Sequence, residues 1–425
     1  MGENVLIIKG DIVYSIDKDT IKTVENGYLI AVDGIVIDVF KELPEDYEYN
    51  IYIDYTGHLV LPGMTDLHLH APQAEFIGLG MDSELLDWLK DRVFPTEAKY
   101  GDEKYATMAY EYFRERLRKS ETTRACVFSS IHGNTTDILM EMLDETGIKA
   151  YVGKVSMDRN GGGDYGEAGA DEAVSAAGKW IEATKDKYEN VKPIVTPRFV
   201  PACSEKLLKG LGELADKYGL PVQSHLSESL KEIELVKKLE PWADYYGQVY
   251  EKYGLFGGSI PTVMAHCVHS TEGEIQALAE RNVFVAHCPS SNANLGNGVA
   301  PIKSYLNKGI KVGLGTDVAA GHSMSILRAM ADSIQFSKLR NSMCEEGMEP
   351  IKLSEAFYMG TMGGGAFFGK VGSFLPGYEC DVVVINDKNA LAGGRLSLHE
   401  RLERAVYMND ECELEAKYVS GEQVL

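Results

Sequence analysis

The chain has 425 residues, of which 44% are hydrophobic and 25% charged, a composition typical of folded globular proteins. Its formal net charge of −22 argues against nucleic acid and anionic membranes as partners, because both are themselves negatively charged. No apolar run approaches the ~18 residues of a membrane span, and no signal peptide is recognisable. The seven cysteines are scattered and include no Cys-x-x-Cys pair, which favours reduced thiols, so we expect a cytoplasmic protein.

The first 58 residues are predicted to form short strands and turns. Apolar runs begin at Val5 and Gly27, and Asp33-Gly34 between two β-branched runs predicts a hairpin. This segment is too thin to enclose a core, so its strands should pair with strands elsewhere. Strand-like sequence returns after residue 370, and chain ends often meet. We therefore predict a small β-sandwich domain built from residues 1–58 and 371–425.

Between these ends, strands alternate with helices, which is the pattern of an α/β fold. Strands are predicted at 59–70, 122–129, 149–155, 191–199, 220–225, 261–266, 282–286 and 310–315. Helices are predicted at 102–119, 135–145, 169–188, 204–218, 271–280 and 323–338. Eight strands close a (β/α)8 TIM-type barrel, predicted here over residues 59–370. The competing doubly wound sheet lacks its Gly-x-Gly-x-x-Gly turn. The glycine-rich stretch 158–170 is predicted to be a loop, which could move over the barrel mouth.

Histidines and one aspartate at the predicted strand ends form a candidate metal site. His68 and His70 project from one side of the first strand, because side chains alternate along a strand. His225 ends the fifth strand, His266 ends the sixth, and Asp317 follows the eighth. Barrel enzymes carry their chemistry at these carboxyl ends of strands. The set suits one zinc ion per chain, with iron as the alternative, and such an ion lowers the pKa of water toward neutrality. His266 could bind the metal or orient the water.

Further residues are candidates for catalysis and substrate recognition. Glu228 is placed to shuttle a proton to a substrate nitrogen, and Asp317 to act as a base. The competing interpretation of Glu228 is a solvated carboxylate at a helix start. Arg198 offers a fork of donors, Phe199 a stacking face, and Gln73 both a donor and an acceptor, which together fit a flat polar heterocycle. A surface salt bridge for Arg198 and core packing for Phe199 are the structural alternatives.

Five stretches of the sequence carry a resemblance to a known family. They are Pro62 to Gln73, Lys192 to Phe199, Gln223 to Glu228, Ala286 to Asn292 and Gly313 to Ala319. In these stretches the chain resembles the amidohydrolase superfamily, and within it the guanine deaminases, over nearly its whole length. The His-x-His pair and the aspartate of strand eight are shared by the superfamily, whereas His-Ala-Pro-Gln and Thr-Pro-Arg-Phe are much more particular to the guanine deaminases.

This resemblance implies the deamination of guanine to xanthine and ammonia, in purine salvage or catabolism, by a cytosolic homodimer. The zinc residues that it implies are His68, His70, His225, His266 and Asp317. The purine contacts that it implies are Gln73, Arg198, Phe199 and Glu228, next to His70, His225 and Asp317. His269 is an additional histidine in the loop after His266, and its role is left open.

Three other interpretations remain open at this point. The same metal residues would serve a deaminase or chlorohydrolase for another ring, such as an adenine-type nucleoside, cytosine or a triazine. A two-metal amidohydrolase usually needs a bridging lysine at the end of strand four, where this sequence has Arg198, and the nearest lysine is Lys154 on strand three. A non-catalytic relative that uses the barrel as a scaffold would be expected to lose metal residues, yet the full set is present.

Overall fold

The computed structural model describes residues 4–161, 165–344, 348–390 and 395–425. Its strands are β1 (Val5–Ser15), β2 (Ile21–Val32), β3 (Ile35–Phe40), β4 (Ile53–Pro62), β5 (Met64–His70), β6 (Thr122–Phe128), β7 (Lys149–Gly153), β8 (Val155–Ser156), β9 (Val191–Pro193), β10 (Thr196–Pro197), β11 (Val222–Leu226), β12 (Thr262–His266), β13 (Phe284–His287), β14 (Val312–Leu314), β15 (Val382–Asn386), β16 (Glu413–Val419) and β17 (Glu422–Gln423). Its α-helices are α1 (Leu85–Trp88), α2 (Phe94–Glu97), α3 (Glu103–Arg118), α4 (Gly133–Asp144), α5 (Ala170–Thr184), α6 (Glu205–Tyr218), α7 (Leu230–Leu239), α8 (Gly247–Lys252), α9 (Glu272–Glu280), α10 (Pro289–Asn294), α11 (Ile302–Asn307), α12 (Ile326–Cys344), α13 (Leu353–Tyr358) and α14 (Leu398–Tyr407). A π-helical turn, Leu89–Val93, joins α1 to α2. Within the described ranges, no helix has the length and apolar character needed to cross a membrane.

Strands from both ends of the chain form one mixed sheet of seven strands, in the order β17-β16-β15-β4-β1-β2-β3. In it β4 runs parallel to β1 and antiparallel to β15. The apolar residues Val382 to Ile385 of β15 are all buried, as expected for a β-branched run in a strand that is covered on both faces. The predicted pairing of the two chain ends is confirmed, whereas the arrangement of these strands as a two-sheet sandwich stays a prediction.

The predicted strand 59–70 is two strands in the structure, divided at Gly63. Residues up to Pro62 pair with β15 in the seven-stranded sheet, whereas β5 pairs with β6. A Cβ atom at Gly63 would lie 2.3 Å from Oγ1 of Thr123 and 2.8 Å from Cβ of Asp381. This crossing between sheets therefore needs glycine. The sequence pattern does not reveal the crossing, because apolar residues continue on both sides of it.

Among the described strands between the chain ends, eight form two parallel sheets of four, β5-β6-β7-β9 and β11-β12-β13-β14, and β8 pairs in parallel with β10. An isolated bridge links Val195, two residues after β9, to Val222 at the start of β11. At the other junction, the N–H of Asp317 donates to the carbonyl of His68 over 2.8 Å, which links the segment after β14 to β5. Parallel strands alternating with helices confirm the α/β class.

The predicted elements of this region are present, with some of their ends shifted. The fourth predicted strand, 191–199, is divided into β9 and β10, and the eighth, 310–315, is shortened to β14. Helix α6 begins where Ser204 accepts a hydrogen bond from the N–H of Leu207 over 3.2 Å. It ends at Gly219, whose φ of 62° lies in the left-handed region that glycine adopts without strain.

Buried charges tie the seven-stranded sheet to the parallel strands. Nζ of Lys417 in β16 donates to the carbonyl oxygens of Ser120 and Thr122, over 2.8 and 3.0 Å. Arg124 in β6 binds Asp381 through two hydrogen bonds, from Nε over 2.7 Å and from Nη2 over 2.9 Å. Removing either partner of the Arg124–Asp381 pair would leave the other as an unpaired buried charge, which is strongly destabilising. The sheet of the chain ends therefore anchors the start of β6.

Candidate active site

The carboxyl ends of β5 and β11 and the segment after β14 meet in a cluster of polar side chains. Nε2 of His70 lies 3.2 Å from Nε2 of His68 and 3.3 Å from Nε2 of His225. Oδ1 of Asp317 lies 3.3 Å from Nε2 of His68 and 3.4 Å from Nε2 of His70. Four of the five predicted metal residues therefore have their potential ligand atoms facing one another.

These distances fit a bound metal ion. Zinc binds nitrogen at about 2.0–2.1 Å, so two ligands of a tetrahedral site lie roughly 3.3–3.4 Å apart. Among the described residues, His68, His70 and Asp317 form one group able to hold an ion, and His68, His225 and His266 form another. Imidazole nitrogens with one carboxylate are a donor set that suits zinc or iron.

Hydrogen bonds at Nδ1 of His225 and of His266 leave Nε2 of each ring available to bind a metal. Nδ1 of His225 lies 2.6 Å from the carbonyl oxygen of Arg198. That oxygen can only accept, so Nδ1 carries the proton and Nε2 keeps its lone pair. Nδ1 of His266 likewise lies 2.9 Å from Oδ1 of Asn292. Burial lowers the pKa of His225 well below its usual range and the pKa of His266 to about 4, so both rings are neutral near pH 7.

His266 lies at the edge of the cluster. Its Nε2 is 3.4 Å from Oε2 of Glu228 and 3.8 Å from Oδ2 of Asp317. From this position the ring could bind an ion together with His68 and His225, or it could hold a water molecule between the two carboxylates. Both interpretations of His266 that the sequence left open are compatible with the geometry.

Three residues of the site have left-handed backbone conformations. The φ angle is 47° at Ser227, 73° at His266 and 48° at Asp317. Residues other than glycine rarely adopt this region, at a cost of order 1–3 kcal/mol each, and such strain concentrates at functional sites. The three strained positions lie where β11, β12 and β14 lead into their loops, which is where the candidate metal ligands meet.

Glu228 is buried beside the cluster. Its Oε1 accepts a hydrogen bond from Nδ2 of Asn297 over 2.8 Å, and its N–H donates to Oε2 of Glu232 over 3.0 Å. Burial, together with the negative charges of Glu232 and Asp317, raises the pKa of Glu228 well above its ordinary value. Burial would also raise the pKa of Asp317, but His68 and its neighbouring histidines outweigh it and hold that pKa well below the ordinary value. One carboxyl group is thus disposed to hold a proton and the other to stay ionised.

A cavity with about 390 Å³ of empty space, part of it open to solvent, lies beside the cluster. Its lining comprises His70, Gln73, Leu85, Trp88, Leu89, Arg198, Phe199, His225, Glu228, His266, Leu295, Asp317 and Ala320. The predicted recognition residues Gln73, Arg198 and Phe199 all lie in this wall. The sequence does not reveal the apolar part around Trp88, because leucine and tryptophan in a helical stretch are indistinguishable from core residues.

His269 supports the site from outside the cluster. One of its ring nitrogens, Nε2, lies 2.6 Å from the carbonyl oxygen of Asn297. The side chain of Asn297 in turn holds Glu228. The sequence assigned no role to Asn297 or His269, and no motif spacing connects them to Glu228. Their contribution becomes visible only when the loops after β12 and α10 are brought together.

Residues 59–424 match the model of the amidohydrolase family. The chain belongs to the amidohydrolase family. This amidohydrolase is 37% identical to the guanine deaminase of Rattus norvegicus over 380 residues, which cover 86% of this chain and 82% of the relative. It is 33% identical to the guanine deaminase of Escherichia coli K12 over 383 residues, which cover 87% of this chain and 84% of the relative.

Solved structures extend this likeness to three dimensions. A guanine deaminase from C. acetobutylicum with bound guanine in its active site matches this amidohydrolase with a TM-score of 0.96 and 45% identity. The match covers 99% of this chain and 100% of that one. E. coli guanine deaminase matches with a TM-score of 0.89 and 31% identity, over 99% of each chain. The likeness therefore includes the sheet formed by the two chain ends.

Proposed function

We propose that this chain is a guanine deaminase that hydrolyses guanine to xanthine and ammonia with one metal ion per chain. The observation that carries the proposal is the convergence of His68, His70, His225 and Asp317 beside a cavity walled by Arg198. The relatives that are 37% and 33% identical over most of the chain bear this name, which supports the choice of reaction.

The proposed metal residues are His68, His70, His225 and Asp317, with His266 either as a further ligand or as a holder of the water. We propose zinc, with iron as the alternative ion, because the donor set suits both. When bound, such an ion supplies a water nucleophile that is reactive at neutral pH.

The chain's own residues handle the protons of the reaction. Hydrolysis forms a bond between the water oxygen and C2 of guanine and breaks the bond from C2 to its exocyclic nitrogen. Glu228 passes one water proton to the adjacent ring nitrogen, a transfer that suits a carboxyl group whose pKa is raised by burial. Asp317 takes the second proton and gives it to the amine, which leaves as ammonia. The ring then carries a second carbonyl, as in xanthine.

The cavity wall supplies the contacts for a flat purine. Arg198 would hold the O6 side and Gln73 an edge of the ring, while Phe199 would stack on its face. The apolar side chains around Trp88 would cover the remaining surface and exclude water. This division into an apolar wall and a few fixed polar groups is common in small-molecule sites.

Incubation with guanine, adenine, cytosine, adenosine and a chlorinated triazine, followed by ammonia and chloride release, tests this choice of substrate. We expect ammonia from guanine only. Turnover of another ring without turnover of guanine would favour the alternative, a deaminase or chlorohydrolase for a different heterocycle.

A two-metal mechanism is disfavoured by the position of Lys154. The Nζ atom of this buried lysine is already paired with the carboxylate of Glu167, rather than standing at the end of the fourth predicted strand, where Arg198 lies. Glu167 belongs to the predicted loop 158–170, of which residues 162–164 lie outside the described residues. We expect about one metal ion per chain, and a content near two would overturn the one-metal proposal.

For the fold, we propose that the two parallel sheets close into one (β/α)8 barrel. Both junctions carry backbone contacts, between Val195 and Val222 and between Asp317 and His68. We propose that the strands of both chain ends form a second domain. Because β4 pairs with β15, we place the boundary between the domains at Gly63 rather than after residue 58.

We also propose that the enzyme is a cytosolic homodimer that acts in purine salvage or catabolism, as the resemblance to guanine deaminases implies. Light scattering of the purified protein tests the assembly. A homodimer of this 46.8 kDa chain has twice the mass of the monomer, and a monomeric mass at working concentration would overturn the proposal.

A further inference from the structure

Behind the cavity wall lies a carboxylate that the chemistry above does not use. The side chain of Glu97, at the end of α2, is fully buried and is not part of the cavity lining. Its two oxygens accept hydrogen bonds from Arg198, Gln73 and Tyr165. Arg198 and Gln73 line the cavity, so one hidden carboxylate holds two of the predicted recognition groups.

Glu97 fixes the guanidinium of Arg198 through a two-pronged ion pair. Nη2 of Arg198 lies 3.0 Å from Oε1 of Glu97, and Nη1 contacts Oε2. The guanidinium also lies over the ring of Phe94, 4.9 Å from its centroid. Arg198 is only 2% exposed, so solvent does little to compensate its charge and the pairing with Glu97 becomes essential.

The same carboxylate sets the orientation of the Gln73 amide. Nε2 of Gln73 donates to Oε1 of Glu97 over 3.1 Å, and Oε1 of Gln73 accepts from the N–H of Ala319 over 3.3 Å. A carboxylate only accepts and a peptide N–H only donates, so turning the amide round would break both bonds. The second hydrogen of Nε2 is the donor that Gln73 keeps for a ligand.

Because Glu97 fixes Arg198 and Gln73 in this way, these two side chains present hydrogen-bond donors to the cavity. Arg198 has donors only, and the amide of Gln73 keeps its remaining N–H. The matching edge of a flat ligand must carry acceptors, as the oxygen at C6 of guanine does. A purine with an amine at C6 would instead place its own N–H donors against the donors of Arg198 and Gln73. The site should therefore discriminate strongly against such a purine.

We propose that Glu97 is a positioning residue that sets this donor pattern and thereby selects a 6-oxo purine over a 6-amino purine. The inference rests on the proposed guanine deaminase function. Glu97 acts through Arg198 and Gln73, and it lies outside both the cavity lining and the candidate metal groups among the described residues.

The test compares guanine with 2,6-diaminopurine, which carries the same amine at C2 but an amine at C6. Glu97→Gln replaces one acceptor oxygen by an NH2 group and removes the charge opposite Arg198. We expect kcat/KM for guanine to fall roughly 100-fold, mostly through KM, because a fully buried charge pair is broken. The ratio of kcat/KM for guanine to that for 2,6-diaminopurine should fall at least about tenfold, because Arg198 and Gln73 are no longer held with their donors toward the cavity. An unchanged preference would overturn the proposal.

A matched control separates this role from general stability. Asp387 is also fully buried and binds Arg401 through two hydrogen bonds, over 2.7 and 2.8 Å, and neither residue lines the cavity. Asp387→Asn should lower the melting temperature but keep the preference for guanine. An equal loss of preference in Asp387→Asn and Glu97→Gln would overturn the role assigned to Glu97.

A second variant covers the case in which Glu97→Gln does not fold. Glu97→Asp keeps the charge but withdraws it by one methylene, so the carboxylate can no longer reach Arg198 and Gln73 together. We expect a smaller loss of preference for guanine in the same direction, and an unchanged preference would again overturn the proposal. A wild-type protein that turns over neither purine would refute the proposed function itself, whereas an active wild type with insensitive Glu97 variants refutes only this inference.

Discussion

Replacement of Glu228 by glutamine should stop catalysis while leaving the metal in place. The glutamine keeps the shape of the side chain, and its carbonyl oxygen can still accept the 2.8 Å hydrogen bond from Asn297. What is lost is the ability to carry a proton. Removing a positioned general acid or base typically lowers kcat by 10²–10⁴-fold, which corresponds to about 3–5 kcal/mol of transition-state stabilisation. We therefore expect kcat for guanine to fall by roughly 10³-fold.

The assay is ammonia release at saturating guanine, with the metal content measured on the same protein sample. Glu274→Gln is a suitable control, because this carboxylate is also buried, binds Ser227 over 2.7 Å and does not line the cavity. It should change kcat far less than Glu228→Gln does. A Glu228→Gln enzyme that retains more than about a tenth of wild-type kcat would refute the role of Glu228 as proton carrier.

Two further predictions concern stability. Burial raises the pKa of Glu232 from 4.5 to about 7, so between these values the folded chain holds a proton that the unfolded chain has released. The contribution of Glu232 to the free energy of unfolding therefore decreases as the pH rises from 4.5 to about 7. Glu232→Gln should abolish this pH dependence. The melting temperature of this variant relative to wild type should then increase from pH ~5 to pH ~7.5, and a constant difference would contradict the reasoning. Gly63→Ala should lower the free energy of unfolding by about 1–3 kcal/mol, because the new Cβ would overlap Thr123. Gly273→Ala, inside α9, is the control in denaturant titrations because its Cβ would meet only Tyr245 at an ordinary 3.6 Å, and equal losses in both variants would contradict this explanation.

The metal candidates could be predicted from the sequence because their signals are local. His68 and His70 share one face of a strand, and His225 ends a recognisable apolar run. Barrel enzymes place the carboxyl ends of their strands at one common mouth. The predicted barrel fold therefore implies that these residues lie close together. In the structure, Nε2 of His70 lies within 3.3 Å of Nε2 of His68 and of Nε2 of His225.

The supporting residues could not be predicted in the same way. Glu97 and Asn297 lie far in the sequence from the groups they hold, and each stands in a stretch without a motif. A glutamate near a helix end is most often solvated, so only the tertiary structure shows that Glu97 is fully buried against Arg198. The division of a predicted strand at Gly63 was missed for a related reason, because a period-two apolar pattern does not show which sheet each half joins.

Metal analysis of the wild-type protein and of His70→Ala, combined with a guanine assay on both, tests the central claim most directly. The Nε2 atom of His70 lies within 3.4 Å of three other potential ligand atoms, so its loss should release the ion. We expect about one zinc or iron per wild-type chain, and loss of both metal and turnover in the variant. A wild-type enzyme that deaminates guanine without metal, or a His70→Ala variant that keeps its metal and its activity, would contradict the account.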